Sequence, residues 1–319
     1  MTRPRIVVLR ALGLGDFLTA VPALRALADA FPGHALVLAA PAPLRQLAQL
    51  ARVADAIVPA APLAPLPDAL AEPELAVNLH GSGPESHRVL TALRPRRLLA
   101  FAHPDVPETR GGPAWRPDEH ETRRWCRLLE ASGIAADASR LDLPRPAVGP
   151  PDGARGATLV HPGAASRSRR WPVERFAAVA RAEQERGRRV VVTGSRAEWP
   201  LAARVAALAG LPRQAVLAGE TDLLRLARLV AGAGRVVCGD TGVAHLATAF
   251  ATPSVVLFGP TPPSLWGPPP GRSWHRVLWA GRPGDPHGAE VDPGLLAIEV
   301  DDVLDALAAL DRQAADVAA

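Results

Sequence analysis

Val236-Val237-Cys238-Gly239-Asp240-Thr241-Gly242-Val243-Ala244-His245 is the stretch from which the rest of the chain can be read. A short apolar run ends in a Gly-Asp-Thr-Gly turn and gives way to small residues over 243–251, the pattern of a strand turning sharply into a helix. Such a turn leaves the first backbone N–H groups of the helix unpaired, and these groups together with the helix dipole favour a bound anion. Asp240 and His245 bring polar groups to the same spot, one before the turn and one a helical turn after it. A second apolar run, 254–258, closes with Gly259-Pro260. The arrangement reads as a site for a phosphorylated ligand at the carboxyl edge of a parallel sheet.

Outward from this turn, strand and helix patterns alternate in both directions. Toward the start, strands are expected over 6–9, 35–39, 75–79 and 98–101, and helices over 44–50 and 119–132. A further helix follows Gly13-Leu14-Gly15-Asp16, with Val21, Leu24, Ala28 and Phe31 at helical spacing. Residues 143–153 are Pro/Gly-rich without periodicity and read as a domain linker. Past them, strands over 157–160, 189–193, 215–217, 235–238 and 254–258 alternate with helices over 173–186, 197–209 and 222–231. Residues 259–292, rich in Pro, Gly and Trp, read as an irregular wall of a cleft. A terminal amphipathic helix at about 300–312 is expected to pack back on the first domain. The fold class is therefore α/β: two Rossmann-like, doubly wound parallel-sheet domains, 1–150 and 151–319, facing across a cleft.

Composition narrows the function. The chain has 319 residues, of which 48% are hydrophobic and 21% charged, as in a globular protein with room for two cores. No apolar run approaches the ~18 residues of a membrane span, and no secretory signal is expected, since Met1-Thr2-Arg3-Pro4-Arg5 runs straight into a strand. Cys126 and Cys238 lie far apart in apolar patterns and read as buried free thiols. Lysine and tyrosine are absent, Asn78 is the sole asparagine and there are 34 prolines, a skew that points to a GC-rich genome. The formal net charge is +4, with arginines scattered among acidic residues, which argues against nucleic acid as a partner. A modest positive balance suits an anionic substrate or peripheral contact with an anionic lipid surface.

The turn at Gly13-Leu14-Gly15-Asp16 has the first two glycines of a dinucleotide fingerprint, but Leu18 stands where the third belongs. No acidic residue follows the second strand at Leu38-Ala39-Ala40-Pro41, so a nicotinamide dehydrogenase is disfavoured. Asp16 is then either a helix N-cap or a general base with access to a substrate hydroxyl. At 161–172, a strand end passes into the small-residue loop Gly163-Ala164-Ala165-Ser166. Arg167, Arg169 and Arg170 crowd behind it before Trp171-Pro172 starts a helix. Guanidinium groups pair with phosphate oxygens in a bidentate fork, although a solvated basic loop over a packing tryptophan has the same pattern. His245 is open to two readings, a ligand group or a core histidine held by a backbone carbonyl.

Gly15-Asp16 with Pro22-Ala23-Leu24, His161-Pro162-Gly163-Ala164, Arg169-Arg170-Trp171-Pro172, Gly239 to His245, and Phe258-Gly259-Pro260-Thr261 resemble glycosyltransferase family 9, the ADP-heptose:lipopolysaccharide heptosyltransferases. The resemblance spans nearly the whole chain and is most specific in its second half. It implies a GT-B fold and an inverting, metal-independent transfer from a nucleoside-diphosphate sugar, ADP-heptose, to a hydroxyl of an envelope glycan or other glycoside. Carried over by position, Asp16 would deprotonate the acceptor, and Asp240 would hold sugar hydroxyls. Thr241, Gly242, Val243 and His245, with Gly163, Ala164, Ser166 and Arg169, would line the sugar diphosphate, and Thr221 would lie beside the base. Arg169 stands where the family usually has lysine. The acceptor would contact Gly15, His80 and Ser82. No cofactor or metal is expected, and no Asp-x-Asp lies on a loop, since Asp301-Asp302 opens the last helix. The expected partners are the nucleotide sugar and a glycan or glycolipid. The protein is expected to be a cytoplasmic monomer, at most peripheral to the inner membrane face. Two rivals stay open: a nucleotide-sugar binder without turnover, and a nucleotide-sugar epimerase of similar shape.

Overall fold

The computed structural model describes residues 3–151 and 153–318; Met1 and Thr2, Asp152 of the Pro/Gly-rich stretch, and Ala319 lie outside the described residues. The chain divides into two compact units, Met1–Leu141 and Asp142–Ala319.

The first unit runs β1 (Arg5–Leu9), α1 (Leu14–Ala30), β2 (Ala35–Ala40), α2 (Arg45–Ala51), β3 (Ala56–Pro59), β4 (Leu75–Asn78), α3 (Glu85–Thr91), β5 (Arg97–Leu99) and α4 (Glu121–Glu130). Its sheet has the order β3-β2-β1-β4-β5 and is parallel throughout. The central strands read as unbroken apolar runs because both faces are covered; Ile6, Val7, Val8 and Leu9 are all buried. In α1 the buried set is Phe17, Leu18, Val21, Leu24 and Leu27. Val21 and Leu24 sit where the spacing put them, but Ala28 is exposed and Phe31 is the C-cap. The apolar stripe thus lies one turn nearer the helix start than expected. β3 and α3 were not anticipated.

The second unit runs β6 (Thr158–His161), α5 (Val173–Glu185), β7 (Val190–Val192), α6 (Trp199–Ala209), α7 (Leu223–Gly232), β8 (Arg235–Gly239), α8 (Gly242–Ala249), β9 (Ser254–Phe258), α9 (Pro263–Trp266), β10 (His275–Trp279), α10 (Pro293–Leu296) and α11 (Val300–Ala318). The order is β10-β9-β8-β6-β7, again all parallel. Two expectations change here. Residues 259–292 are not wholly irregular, since β10 extends the sheet beyond β9. The strand expected at 215–217 is reduced to a single bridge between Val192 and Val216. The terminal helix uses its apolar face within its own unit: Val303, Leu307 and Leu310 join the core with Trp171, Phe176 and Leu257.

The Pro-rich stretch is strapped to the second unit. Leu143 N–H donates to Ala249 O at 2.8 Å, and the Arg145 guanidinium reaches the carbonyls of Ala231 and Phe250. Proline-rich chain with few N–H groups of its own is fixed here by donors on the residues between the prolines. Cys126 and Cys238 are both free and buried, one in each unit.

In both sheets the first strand lies inside, with its neighbours leading away in opposite directions: β1 between β2 and β4, β6 between β7 and β8. Loops leaving the carboxyl ends of such strands diverge and open a crevice, the place where open α/β sheets bind ligands.

Candidate active site

At the first crevice, the chain leaves β1 through Arg10 and Ala11 and enters α1 at Gly13, whose φ of −72° and ψ of −175° are extended. Asp16 is not the N-cap but the third helical residue, and its Oδ2 accepts the Gly13 N–H at 3.2 Å. This satisfies a donor left over at the helix start and aligns a negative charge with the positive end of the dipole. The Asp16 side chain keeps 29% of its surface exposed, so the carboxylate is fixed yet reachable. Its Oδ1 lies 3.3 Å from Arg10 Nη2, and Arg10 Nε donates to the Asp16 carbonyl at 2.9 Å.

Of the acceptor candidates, Gly15 adjoins Asp16 in α1, and His80 is drawn to the same crevice, where its Nδ1 accepts the Ala11 N–H at 3.2 Å. Burial holds His80 below the usual histidine range; Arg10 adds to this and Asp16 opposes it. Asn78 anchors the loop: its Oδ1 accepts His80 N–H at 2.8 Å and its Nδ2 donates to Ser86 Oγ at 2.9 Å. Nδ2 also approaches His87 Nδ1 at 2.6 Å, which leaves His87 Nε2–H to donate to Phe101 O at 2.8 Å. Ser82 is half-buried in the same loop.

At the second crevice, β6 and β8 are paired, with His161 beside Cys238. Asp240 follows β8, is buried, and donates its N–H to Leu257 O at 3.1 Å. Its Oδ2 meets Arg169 Nη1 at 3.1 Å, so the loops after the two strands are joined by an ion pair. Gly239 permits this closeness, because a Cβ there would come within 3.0 Å of Arg169 O. Thr241 is the N-cap of α8 and makes no side-chain cap, so its hydroxyl does not occupy the first N–H groups of the helix. Gly242 starts the helix, whereas the Val243 side chain is buried in the core; only its backbone is available to a ligand. His245 stacks edge-on to Trp266 of α9 at 5.9 Å.

Other donor-side candidates serve the loop itself. Ala164 O accepts from Arg170 Nε at 2.9 Å, and Ser166 Oγ pairs with Ser168 Oγ at 3.1 Å and with the Pro286 carbonyl. Gly163 backs onto the Glu198 carboxylate, where any Cβ would overlap it. Glu198 Oε2 accepts the Ser195 N–H at 2.7 Å, so the carboxylate is held over the small-residue loop. Thr221 lies on the following turn, brought to this side of the sheet by Gly219 N–H donating to Gly194 O at 2.9 Å. Buried His161 shares Nδ1 with Thr193 Oγ1 at 3.0 Å and is held below its usual pKa by burial, against an opposing pull from Glu198. Arg10 and Glu198 were not singled out from sequence. Glu198 had a legible signal, the Ser195-x-x-Glu198 capping box, while Arg10 looked like the end of a strand.

Among the described residues no group of three or more His, Cys, Asp or Glu could hold a metal ion, and no helix is long and apolar enough to cross a membrane.

Comparison with known proteins gives this geometry a lineage. Residues 98–283 match the model of glycosyltransferase family 9 (heptosyltransferase). A stretch of 101 residues, 31% of this chain, is 41% identical to lipopolysaccharide heptosyltransferase 1 of Pseudomonas aeruginosa, and spans 28% of that relative's length. In fold, a glycosyl transferase family 9 structure from Veillonella parvula matches with a TM-score of 0.77 at 19% identity, covering 97% of this chain and 98% of that one. The E. coli ADP-heptose LPS heptosyltransferase II matches with a TM-score of 0.75 at 21% identity, covering 97% and 99%. With a two-sheet α/β architecture throughout and a family match across more than half its length, this chain belongs to glycosyltransferase family 9.

Proposed function

We propose that the protein is an inverting, metal-independent glycosyltransferase that moves a heptose from ADP-heptose to a hydroxyl of a lipopolysaccharide-core-like envelope glycan. Asp16 accepts the acceptor proton as the acceptor oxygen bonds to the anomeric carbon. The bond from that carbon to the diphosphate oxygen breaks, and the leaving nucleotide takes its electron pair. One in-line displacement inverts the configuration. Charge gathers on the departing diphosphate, and the Arg169 guanidinium and the N–H groups opening α8 stand ready to receive it. Asp240 then holds sugar hydroxyls, and Thr221 with the 163–166 loop borders the nucleotide. The acceptor meets Gly15, His80 and Ser82.

The observation that supports this reading is the Arg169–Asp240 pair, which sets a cation and a buried carboxylate together at the switch point between β6 and β8. A binder without turnover has no need of a carboxylate fixed and accessible as Asp16 is. The deciding experiment incubates the protein with ADP-heptose and heptose-free lipopolysaccharide, follows ADP release, and reads the anomeric configuration of the product by NMR. Inverted product supports the reading. ADP-heptose returned as its epimer without acceptor refutes it, as does tighter binding of UDP or GDP than of ADP by calorimetry.

A further inference from the structure

Arg10 is 1% exposed in its side chain and carries more partners than a strand-end arginine needs. Nη1 donates to Leu79 O at 2.5 Å, and Nη2 is shared among Glu121 Oε1 at 3.0 Å, Asp16 Oδ1 at 3.3 Å and Thr19 Oγ1 at 3.3 Å. Its guanidinium carbon sits 4.8 Å from the Trp125 ring centroid. Glu121, at the start of α4, is itself buried. Its Oε1 also accepts Trp125 Nε1–H at 3.0 Å, and its Oε2 pairs with buried Arg124. The charges therefore alternate along Asp16, Arg10, Glu121 and Arg124, and only Asp16 has substantial access to solvent.

We propose that Glu121 is a positioning residue for Asp16 and acts through Arg10, a reading that rests on Asp16 being the base. A guanidinium buried beside a single carboxylate would bind that carboxylate tightly and oppose its protonation. Here one nitrogen with two hydrogens is divided among three acceptors, and the shorter bond goes to Glu121. When Asp16 takes the acceptor proton and loses its charge, the buried Arg10 still has a carboxylate beside it in Glu121, which it shares with Arg124. Glu121 thus takes up part of the guanidinium that Asp16 would otherwise hold, while Arg10 keeps Asp16 in place. The charged and titratable groups facing Asp16 are Arg10 after β1, His80 after β4, and Glu121 with Arg124 on α4.

The test compares Glu121→Gln, Glu121→Asp and Asp16→Asn with the wild type, in full-length protein with ADP-heptose and heptose-free lipopolysaccharide. In Glu121→Gln, Arg10 leans on Asp16 alone. The acid limb of the kcat profile should move about one pH unit lower and kcat should fall about tenfold, with ADP affinity by calorimetry unchanged. Glu121→Asp keeps the charge but loses reach to Arg10, so it should move the limb the same way by less, and it stands in if the glutamine variant does not fold. A wild-type acid limb and wild-type kcat in a folded Glu121 variant overturn the inference. Loss of stability with no movement of the limb overturns it too, since that is a purely structural role. Undiminished transfer by Asp16→Asn, or none by the wild type, instead overturns the functional reading beneath it.

Discussion

The first strand of each sheet ends where the strand order reverses, yet the two units equip that point with opposite chemistry. In the first unit the loop after β1 leads to a carboxylate braced by a buried chain of alternating charges that reaches into α4. In the second unit the loops after β6 and β8 are rich in Gly, Ala, Ser and Thr, drawn close around the Arg169–Asp240 pair and an uncapped helix start. A group that must change its protonation state needs neighbours able to absorb the charge change. A group that must receive a fixed anion needs close backbone approach and donors that do not move. On the proposed function, the same topology would serve a base in one unit and a diphosphate in the other, and the side chains at the switch would decide which.

The largest expected effect breaks the comparison at its first member. Asp16→Ala should lower kcat by about 10²–10⁴, the span that general-base removal covers, with ADP affinity unchanged within twofold. Loss of ADP binding in that variant would mean that the two units do not divide the work as described. Arg169→Ala strikes the second member. It removes one partner of a largely buried pair and a phosphate donor together, so ADP affinity should fall about 10–100-fold. Calorimetry that finds ADP affinity unchanged would sink the role of Arg169.

Smaller in effect is a difference in acid sensitivity. His275, beside β9, gives its Nδ1 to Ser254 Oγ at 2.8 Å and is held down to about 4 by burial and by Arg272. Its folded pKa is below the unfolded value of 6.5, so the unfolded chain binds the proton more readily. The stability it contributes is complete above about pH 6.5 and is lost as the pH falls through 4, by about 3 kcal/mol in all. Buried His161 adds to the same loss in the second unit. In the first unit His80 and His87 are lowered in the same direction. Hydrogen exchange at decreasing pH should show the β8–β9–β10 region opening before β1–β4. His275→Asn, which retains an acceptor for Ser254, should flatten that dependence; an unchanged pH slope would remove His275 as its source.

What could be read from the chain, and what could not, follows the same division. The turn after β8 was legible because strand, glycine turn and helix start are contiguous: Gly239 to His245 carries its whole geometry within one stretch. The place of Asp16 in the first turn after β1 was legible because Gly15 and the strand end lie beside it. Its supports were not, since Arg10 and Glu121 stand 111 residues apart and only folding brings α4 to β1. β3 escaped notice because Ala56-Ile57-Val58-Pro59 is a short edge strand closed by proline, and β10 because its five residues sit inside Pro/Gly-rich chain. The terminal helix showed its apolar face plainly, but a periodic stripe says only that something covers it, and here the cover is the core around Trp171.

The smallest expected effect concerns Arg169, where the resemblance implies a lysine, and it sharpens the description of the second unit's crevice. Arg169 touches Asp240 through Nη1 alone, and its buried Nε has no hydrogen-bond partner. As it stands, the guanidinium acts as a point charge rather than a fork. A lysine can supply one charged donor at the same place and would remove the unpartnered N–H, so Arg169→Lys should change ADP affinity by less than about threefold. Calorimetry with ADP and with AMP separates the possibilities. Near-equal affinity in both proteins means that Arg169 serves as a single cation. A loss of about tenfold or more for ADP, but not for AMP, would mean that the fork closes on the diphosphate once it binds, and Asp240 would then have to release the guanidinium as the donor enters.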